Sequence, residues 1–397
     1  MKDFEKRVKL IWNSIEFTHG VRRALIMSMA LVYFIHLGFD VVWVTTMLAV
    51  TSTVSMLMEF PTGAVADYDS RKKSLMISFF LFSVAFFGIF FLNNFWLIAF
   101  FWFLAELAWT FSTGAGSAWA IDALNIGKKK LKIVRFISRG YVSEKSGHII
   151  GGLIGIVIIA INFRLIWLVG ALTNLIMFFI IWLYVEERNF KPEEVPAGYL
   201  KKSFLKAKES YFYIIHKKNR NLKILMVIGF FNIVAVGAFW IGMPLMLVDV
   251  LNLKYEYLAG LLSWIALISL IAPFLAERIT NERGFRNSMF GLFLLLSFFI
   301  VAFSFSSSLI FAIIVLTLFY FILTIMDVVE ESVSHNWSDS KIRASLGSIG
   351  SINWNVANSI GVFLAGLGIE FFGIANTILI SGIMASIVSF GYLFLKD

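Results

Sequence analysis

Apolar runs of about 20 residues recur along nearly the whole chain, each long enough to cross a hydrocarbon core of about 30 Å. No other feature restricts the fold so strongly. Backbone N–H and C=O groups find no water inside a bilayer, so a spanning segment must be a helix or part of a closed barrel. Barrel strands would show short alternating segments, whereas these runs are continuous. The chain is therefore expected to be an all-α polytopic membrane protein. Its composition agrees: 59% of the 397 residues are apolar and 15% are charged, against about 25% charged in ordinary soluble domains. Twelve spans are expected, at roughly 14–37, 41–66, 74–93, 96–124, 137–160, 165–186, 222–248, 256–276, 287–304, 308–331, 345–369 and 373–395. His19, Arg22 and Arg23 interrupt the first, which is cleanly apolar only over 24–37.

The placement of charge sets an orientation. All of the 34 Lys and Arg residues except Lys145, Arg164 and Lys254 lie within 2–23, 71–73, 128–139, 188–223, 278–286, 341–343 and at Lys396. Two spans separate successive clusters, so the clusters share one side, and the excess of cations on cytoplasmic loops names that side. The expectation is a multi-pass protein of the cell membrane with both termini cytoplasmic. A net charge of +9 distributed in this way follows the bilayer, and no nucleic-acid partner is expected. Cysteine is absent, which excludes disulfides and thiolate chemistry. Residues 1–23 are polar and of mixed charge, so the apolar run after them reads as a retained span rather than a cleaved signal.

The two six-span halves echo one another. Asp67 and Glu277 each end a second span after an Ala, Asp122 and Asp327 lie near the end of a fourth, and Arg139 and Arg343 open a fifth. These matches keep a nearly constant spacing, which points to duplication in parallel, with a substrate site between the halves near the midplane. Three parts follow: a six-helix bundle over 1–186, a linker over 187–221 and a second six-helix bundle over 222–397. Within the linker, residues 199–216 alternate cations with aromatics at helical spacing. Such a helix either lies on the membrane surface or is simply solvated.

The stretch "EFPTGAVADYDSRKKSL" (59–75) carries a more specific signal. Gly63, Ala66, Asp67, Arg71 and Lys72 match the pattern Gly-x-Leu-Ala-Asp-Arg-x-Gly-Arg-Lys of the loop between spans two and three of the major facilitator superfamily. Tyr68 and Ser70 depart from it. "EFPTG", "FSTGAGSAWAIDAL" (111–124) and "KIRASLGSI" (341–349) resemble patterns of members that export drugs or small molecules. The resemblance covers essentially the whole chain and implies twelve transmembrane helices in two pseudo-symmetric six-helix bundles. It also implies that Asp67 meets the N-terminus of span eleven near Arg343, where helix dipole and free N–H groups favour an anion, and that Arg71 pairs with Asp122. Those contacts would form a conformational latch, with Glu277 and Asp327 as second-half equivalents.

Ionisable groups inside the membrane cost about 2.5–3.5 kcal/mol even on the mildest scale and are functional candidates by default. Glu106 lies roughly 15 Å into span four and is the leading proton-coupling candidate. Glu144 and His148 are four apart on span five, hence neighbours on one helix face. They could relay a proton, bind a cationic substrate or form a structural ion pair. Arg22 and Arg23 either reach into a cavity toward an anionic substrate or Glu106, or snorkel to the interface, which is the reading preferred for both. Asn232, Trp240, Asn353, Trp354 and Asn358 could line a cavity, although interhelical hydrogen bonding accounts for the Asn residues equally well.

No phosphate-cradling loop, metal motif or convergent catalytic set is visible, so neither a cofactor nor an enzymatic activity is expected. The leading expectation is a monomeric secondary transporter that exports a small organic compound by alternating access, coupled to proton antiport. Its partners would be a small-molecule substrate, protons and the lipid bilayer. Uptake or facilitated diffusion of a small, anionic metabolite is the alternative, and lipid flipping a third reading.

Overall fold

The computed structural model describes residues 2–126, 130–188, 220–268, 284–337 and 343–395. Among them every regular element is helical. The first half contains α1 (Lys2–Arg22), α2 (Ala30–His36), α3 (Val41–Ala64), α4 (Arg71–Phe91), α5 (Phe95–Ser112), α6 (Ala115–Ala123), α7 (Lys130–Ile161) and α8 (Leu165–Tyr184). The second contains α9 (Arg220–Leu245), α10 (Tyr255–Ile268), α11 (Phe285–Ser304), α12 (Leu309–Trp337), α13 (Arg343–Phe372) and α14 (Ile374–Ser389). π-helical turns follow α1 (Arg23–Met27), α3 (Val65–Asp69) and α9 (Met246–Val250), and a 3-10 turn (Phe390–Phe394) follows α14. Ten helical stretches among the described residues are long and apolar enough to cross a membrane. The pair α1–α2 and helix α10 stand at the first and eighth positions, in keeping with twelve spans.

Two boundaries differ from expectation. Helix α1 begins at Lys2 rather than near residue 14. Val8, Ile11, Trp12 and Ile15 recur on one helical face and are all buried in the same core, so this polar-looking segment is amphipathic and packs. Span four is not continuous: Gly114 adopts φ +76° between α5 and α6, a left-handed conformation that glycine takes without steric cost. The surface helix expected over 199–216 and the residue Glu277 lie outside the described residues. So do the side chains of Asp327 and Arg343, although their backbones belong to α12 and α13.

The helices group into two compact units. One comprises residues 1–38, 54–200 and 255–263; the other comprises 39–53, 201–254 and 264–397. The beginning of span two thus belongs with second-half helices, and the beginning of span eight with first-half helices. In the first unit α1 packs on α7 and α8, and α4 packs on α5 and α8. In the second, α9 packs on α13 and α14, and α11 packs on α12 and α14. Span for span this is the same set of pairings, as duplication in parallel predicts.

Burial of apolar surface between helices gains little when lipid is equally apolar, so close contact and interhelical hydrogen bonds carry the association. Ser78 Oγ donates to Ala108 O at 2.7 Å across α4–α5, and Ser381 Oγ to Ala235 O at 2.6 Å across α14–α9. Aromatic rings fill the remaining space. Trp167 stacks on Phe34 with centroids 5.6 Å apart and meets Tyr33, Phe86 and Trp102 edge-on or tilted.

Candidate functional site

The site begins with a crossing of α1 and α7 that has no room for side chains. A Cβ at Gly147 would fall on the backbone of Phe17, and one at Gly20 on the backbone of Glu144. Ser143 Oγ donates to Asn13 O at 2.7 Å and ties the same pair of helices. This approach brings Arg23 to Glu144, whose Oε1 lies 2.6 Å from Nη1 of the guanidinium. Glu144 is therefore the partner of Arg23 rather than of His148, the neighbour that helical spacing suggests.

Arg22 departs from the snorkelling expectation. Arg22 is only 2% exposed. Its guanidinium lies 3.7 Å from the centroid of the Phe82 ring and 5.3 Å from that of Trp109. Nη1 donates to Asn174 Oδ1 at 3.3 Å, and the Asn174 amide in turn donates to Gly170 O at 2.7 Å. A ring face and an oriented amide replace the water that a buried cation gives up. Arg23 keeps a half-exposed side chain at its ion pair with Glu144.

Around these groups the first unit forms a partly open pocket of about 190 Å³ with a mixed polar and apolar lining. Trp12, Glu16, His19 and Arg23 line it from α1 and the following π turn, Trp109 and Ser112 from α5, Ser117 from α6 and Glu144 from α7. His19 stacks on Phe79 at 5.6 Å between centroids, and Trp109 lies tilted at the same distance. Trp12 Nε1 and His19 Nε2 are buried without a hydrogen-bond partner in the protein, an unusual state for buried polar atoms that an occupant of the cavity would relieve. Glu106 stands apart from the direct ion pair, yet it shares the electrostatic field of Arg22 with Glu16, Glu144 and Arg23. Sequence reasoning missed Glu16 and His19. Their signal is the recurrence of Trp12, Glu16, His19 and Arg23 along one helical face, in a segment whose charges mask its amphipathic pattern.

The remaining candidates lie elsewhere. The carbonyl of His148 accepts from Ser263 Oγ at 3.3 Å within the first unit. Asp67 lies exposed in the π turn that ends α3, and Arg71 forms an ion pair with Asp122. Beside them stands a group that the sequence did not single out: Glu187 Oε1 accepts from the backbone N–H of Arg71 at 2.7 Å, and Ser70 Oγ donates to Oε2 at 2.6 Å. This carboxylate caps the N-terminus of α4. Its neighbour Glu186 pairs with Arg188 and Arg7, and the hydrogen bond from Arg188 first, then the positive charges, hold its carboxyl below the usual range. In the second unit Asn232 Nδ2 donates to the Tyr392 hydroxyl at 3.0 Å, and Asn353 Nδ2 to Met226 O at 3.2 Å. Both amides bond between helices. Trp240 packs on Phe239, Phe319 and Tyr320, while Trp354 is exposed and Asn358 half-buried. Among the described residues no cluster of His and acidic groups could hold a metal ion.

The family model described as Major Facilitator Superfamily matches residues 14–337. Among solved structures, the nucleoside transporter NupG superposes with a TM-score of 0.79 at 13% identity, over 98% of this chain and 100% of that one. A peptide transporter, POT, in complex with sulfate gives 0.72 at 14% identity, over 98% and 94%. A D-xylose–proton symporter gives 0.69 at 13% identity, over 98% of each chain. Likeness at such identities is likeness of fold. No curated protein matches the chain in sequence.

Proposed function

The chain belongs to the major facilitator superfamily and is a membrane transporter, and from that premise we propose that it exports a small organic compound bearing a positive charge, by alternating access coupled to proton antiport. One observation carries the reading: the carboxylates of Glu16, Glu106 and Glu144 gather with the guanidiniums of Arg22 and Arg23 in one electrostatic cluster, in which Glu144 pairs directly with Arg23. Fully ionised, the set holds one negative charge in excess. In a low-dielectric site an uncompensated charge is costly, so a partner that neutralises it is favoured. A proton can do so, and so can the cationic group of a substrate. The two occupancies compete for one charge deficit, which is the thermodynamic requirement of antiport. The aromatic faces of Trp12, Trp109 and His19 suit an organic cation. Arg22, packed on Phe82, and Arg23, paired with Glu144, leave little free positive charge for an anionic substrate, which weighs against the uptake reading.

The exporter-like subtype, the cell-membrane location, the cytoplasmic termini and the monomeric state belong to the same proposal, as does a latch made by Asp67 at span eleven. The test is ligand-induced thermal stabilisation of the purified protein by a panel of organic cations, zwitterions and anions. Cations should stabilise it more at alkaline than at acidic pH, and Glu106→Gln or Glu16→Gln should abolish that pH dependence while leaving the protein folded. Stabilisation by anions alone, or an identical pH response in both variants, would remove these carboxylates from the coupling mechanism.

A further inference from the structure

The second unit carries a surface groove of about 680 Å³ where α9 begins and the 3-10 turn Phe390–Phe394 closes the chain's last helix. Its walls are apolar, from Ile224, Val227 and Phe231 on one side to Ile387, Phe390 and Phe394 on the other. Its floor is narrow: a Cβ on Gly391 would come within 2.8 Å of Ile228 Cγ1, so the turn packs directly on the Ile228 side chain of α9. Arg220 and Lys223 stand at one end, and no acidic residue lines the groove among the described residues. The Arg220 guanidinium leans over the groove toward the carbonyl of Phe394, 3.5 Å away.

We propose that this groove holds a phospholipid with an anionic headgroup. Arg220 and Lys223 face its phosphate, and an acyl chain lies along the apolar walls. Three observations converge on that occupant. From Arg220 to Phe231 the helix rises roughly 16 Å, about half the ~30 Å hydrocarbon core, which is the depth of one leaflet. The cations sit where the apolar span begins, so they lie at headgroup level while the walls lie among acyl chains. The surface is also concave, unlike a plain lipid-facing helix, and a chain seated in it exchanges contact with mobile lipid for fixed contact on two walls. Basic pockets between helices at the membrane boundary are suited to acidic headgroups, and two cations there correspond to a preference of roughly 30-fold over a headgroup without net charge. This binding is independent of the transport cycle proposed above.

The experiment places the full-length protein in bilayer discs containing phosphatidylcholine and phosphatidylglycerol, each in turn carrying a photoreactive acyl chain, and maps the crosslinked peptides. Phosphatidylglycerol should label segments 224–231 and 387–394 well above other lipid-facing helices. Arg220→Gln with Lys223→Gln should reduce that labelling about 30-fold, to the level of phosphatidylcholine, whereas Arg220→Lys should retain most of it. Ile224→Trp, which fills the groove and keeps both cations, should also abolish it. All three positions are exposed or half-buried, so folding is expected to survive, and thermal unfolding checks that it does. Labelling spread evenly over the apolar surface, an unchanged ratio in the double variant, or equal displacement by inorganic phosphate would overturn the proposal. Protection of both segments from every lipid probe would do so as well, because the groove would then be covered by protein.

Discussion

Arg22 shows how much a single buried side chain can settle. Its planar guanidinium lies over Phe82 and still reaches Asn174, a combination that a Lys ammonium on a flexible stem cannot reproduce. Arg22→Lys is expected to lower the unfolding temperature by an amount equivalent to about 1–2 kcal/mol, the scale of a desolvated cation–π contact. It should preserve the pH dependence of ligand stabilisation, because the charge remains. Thermal unfolding and ligand titration on the same preparation separate the two effects. At this scale the sequence was legible where charge interrupts an apolar run: Glu106, Glu144, Arg22 and Arg23 stand out by that contrast alone. The identity of each partner was not. Helical spacing offered His148 to Glu144, but the nearest opposite charge came from another helix, through a contact that local periodicity cannot encode.

That contact belongs to the scale of elements, where glycine decides how close two helices come. The α1–α7 crossing admits no Cβ at Gly147, and the α9–α13 crossing repeats the arrangement, with a Cβ on Gly237 only 2.9 Å from Gly361 Cα. Gly147→Val should force the helices apart at an overpacking cost of about 1–3 kcal/mol. It should also lengthen the Arg23–Glu144 ion pair. The check is a double-mutant cycle: Glu144→Gln should cost less stability in the Gly147→Val background than in the parent, and equal costs in both would mean that the glycine does not position the pair. Spans are legible because length and hydropathy alone define them. Their breaks are less so. The left-handed Gly114 that divides span four looks in sequence like any other glycine, and the π turn after Arg22 leaves no compositional mark. Glu187, which caps α4, reads as one more charge at the head of a linker until the fold brings it to Arg71.

For the molecule as a whole, duplication was visible in three pairs of acidic and basic residues, and the repeated helix pairings of the two units agree with it. The proposed latch belongs at this scale. Asp67→Asn should shift the population away from outward-open states, measured as distance distributions between spin labels on the two halves, which the absence of cysteine makes straightforward to attach. Unaltered distributions would dismiss Asp67 as a latch. Chain order and folded bodies do not coincide, however. Residues 39–53 complete the body formed mainly by the second half, and residues 255–263 complete the one formed mainly by the first. A polypeptide severed between the halves would yield two fragments, each missing a piece that its counterpart carries. Neither half of the chain by itself contains every residue of the body that it mainly forms.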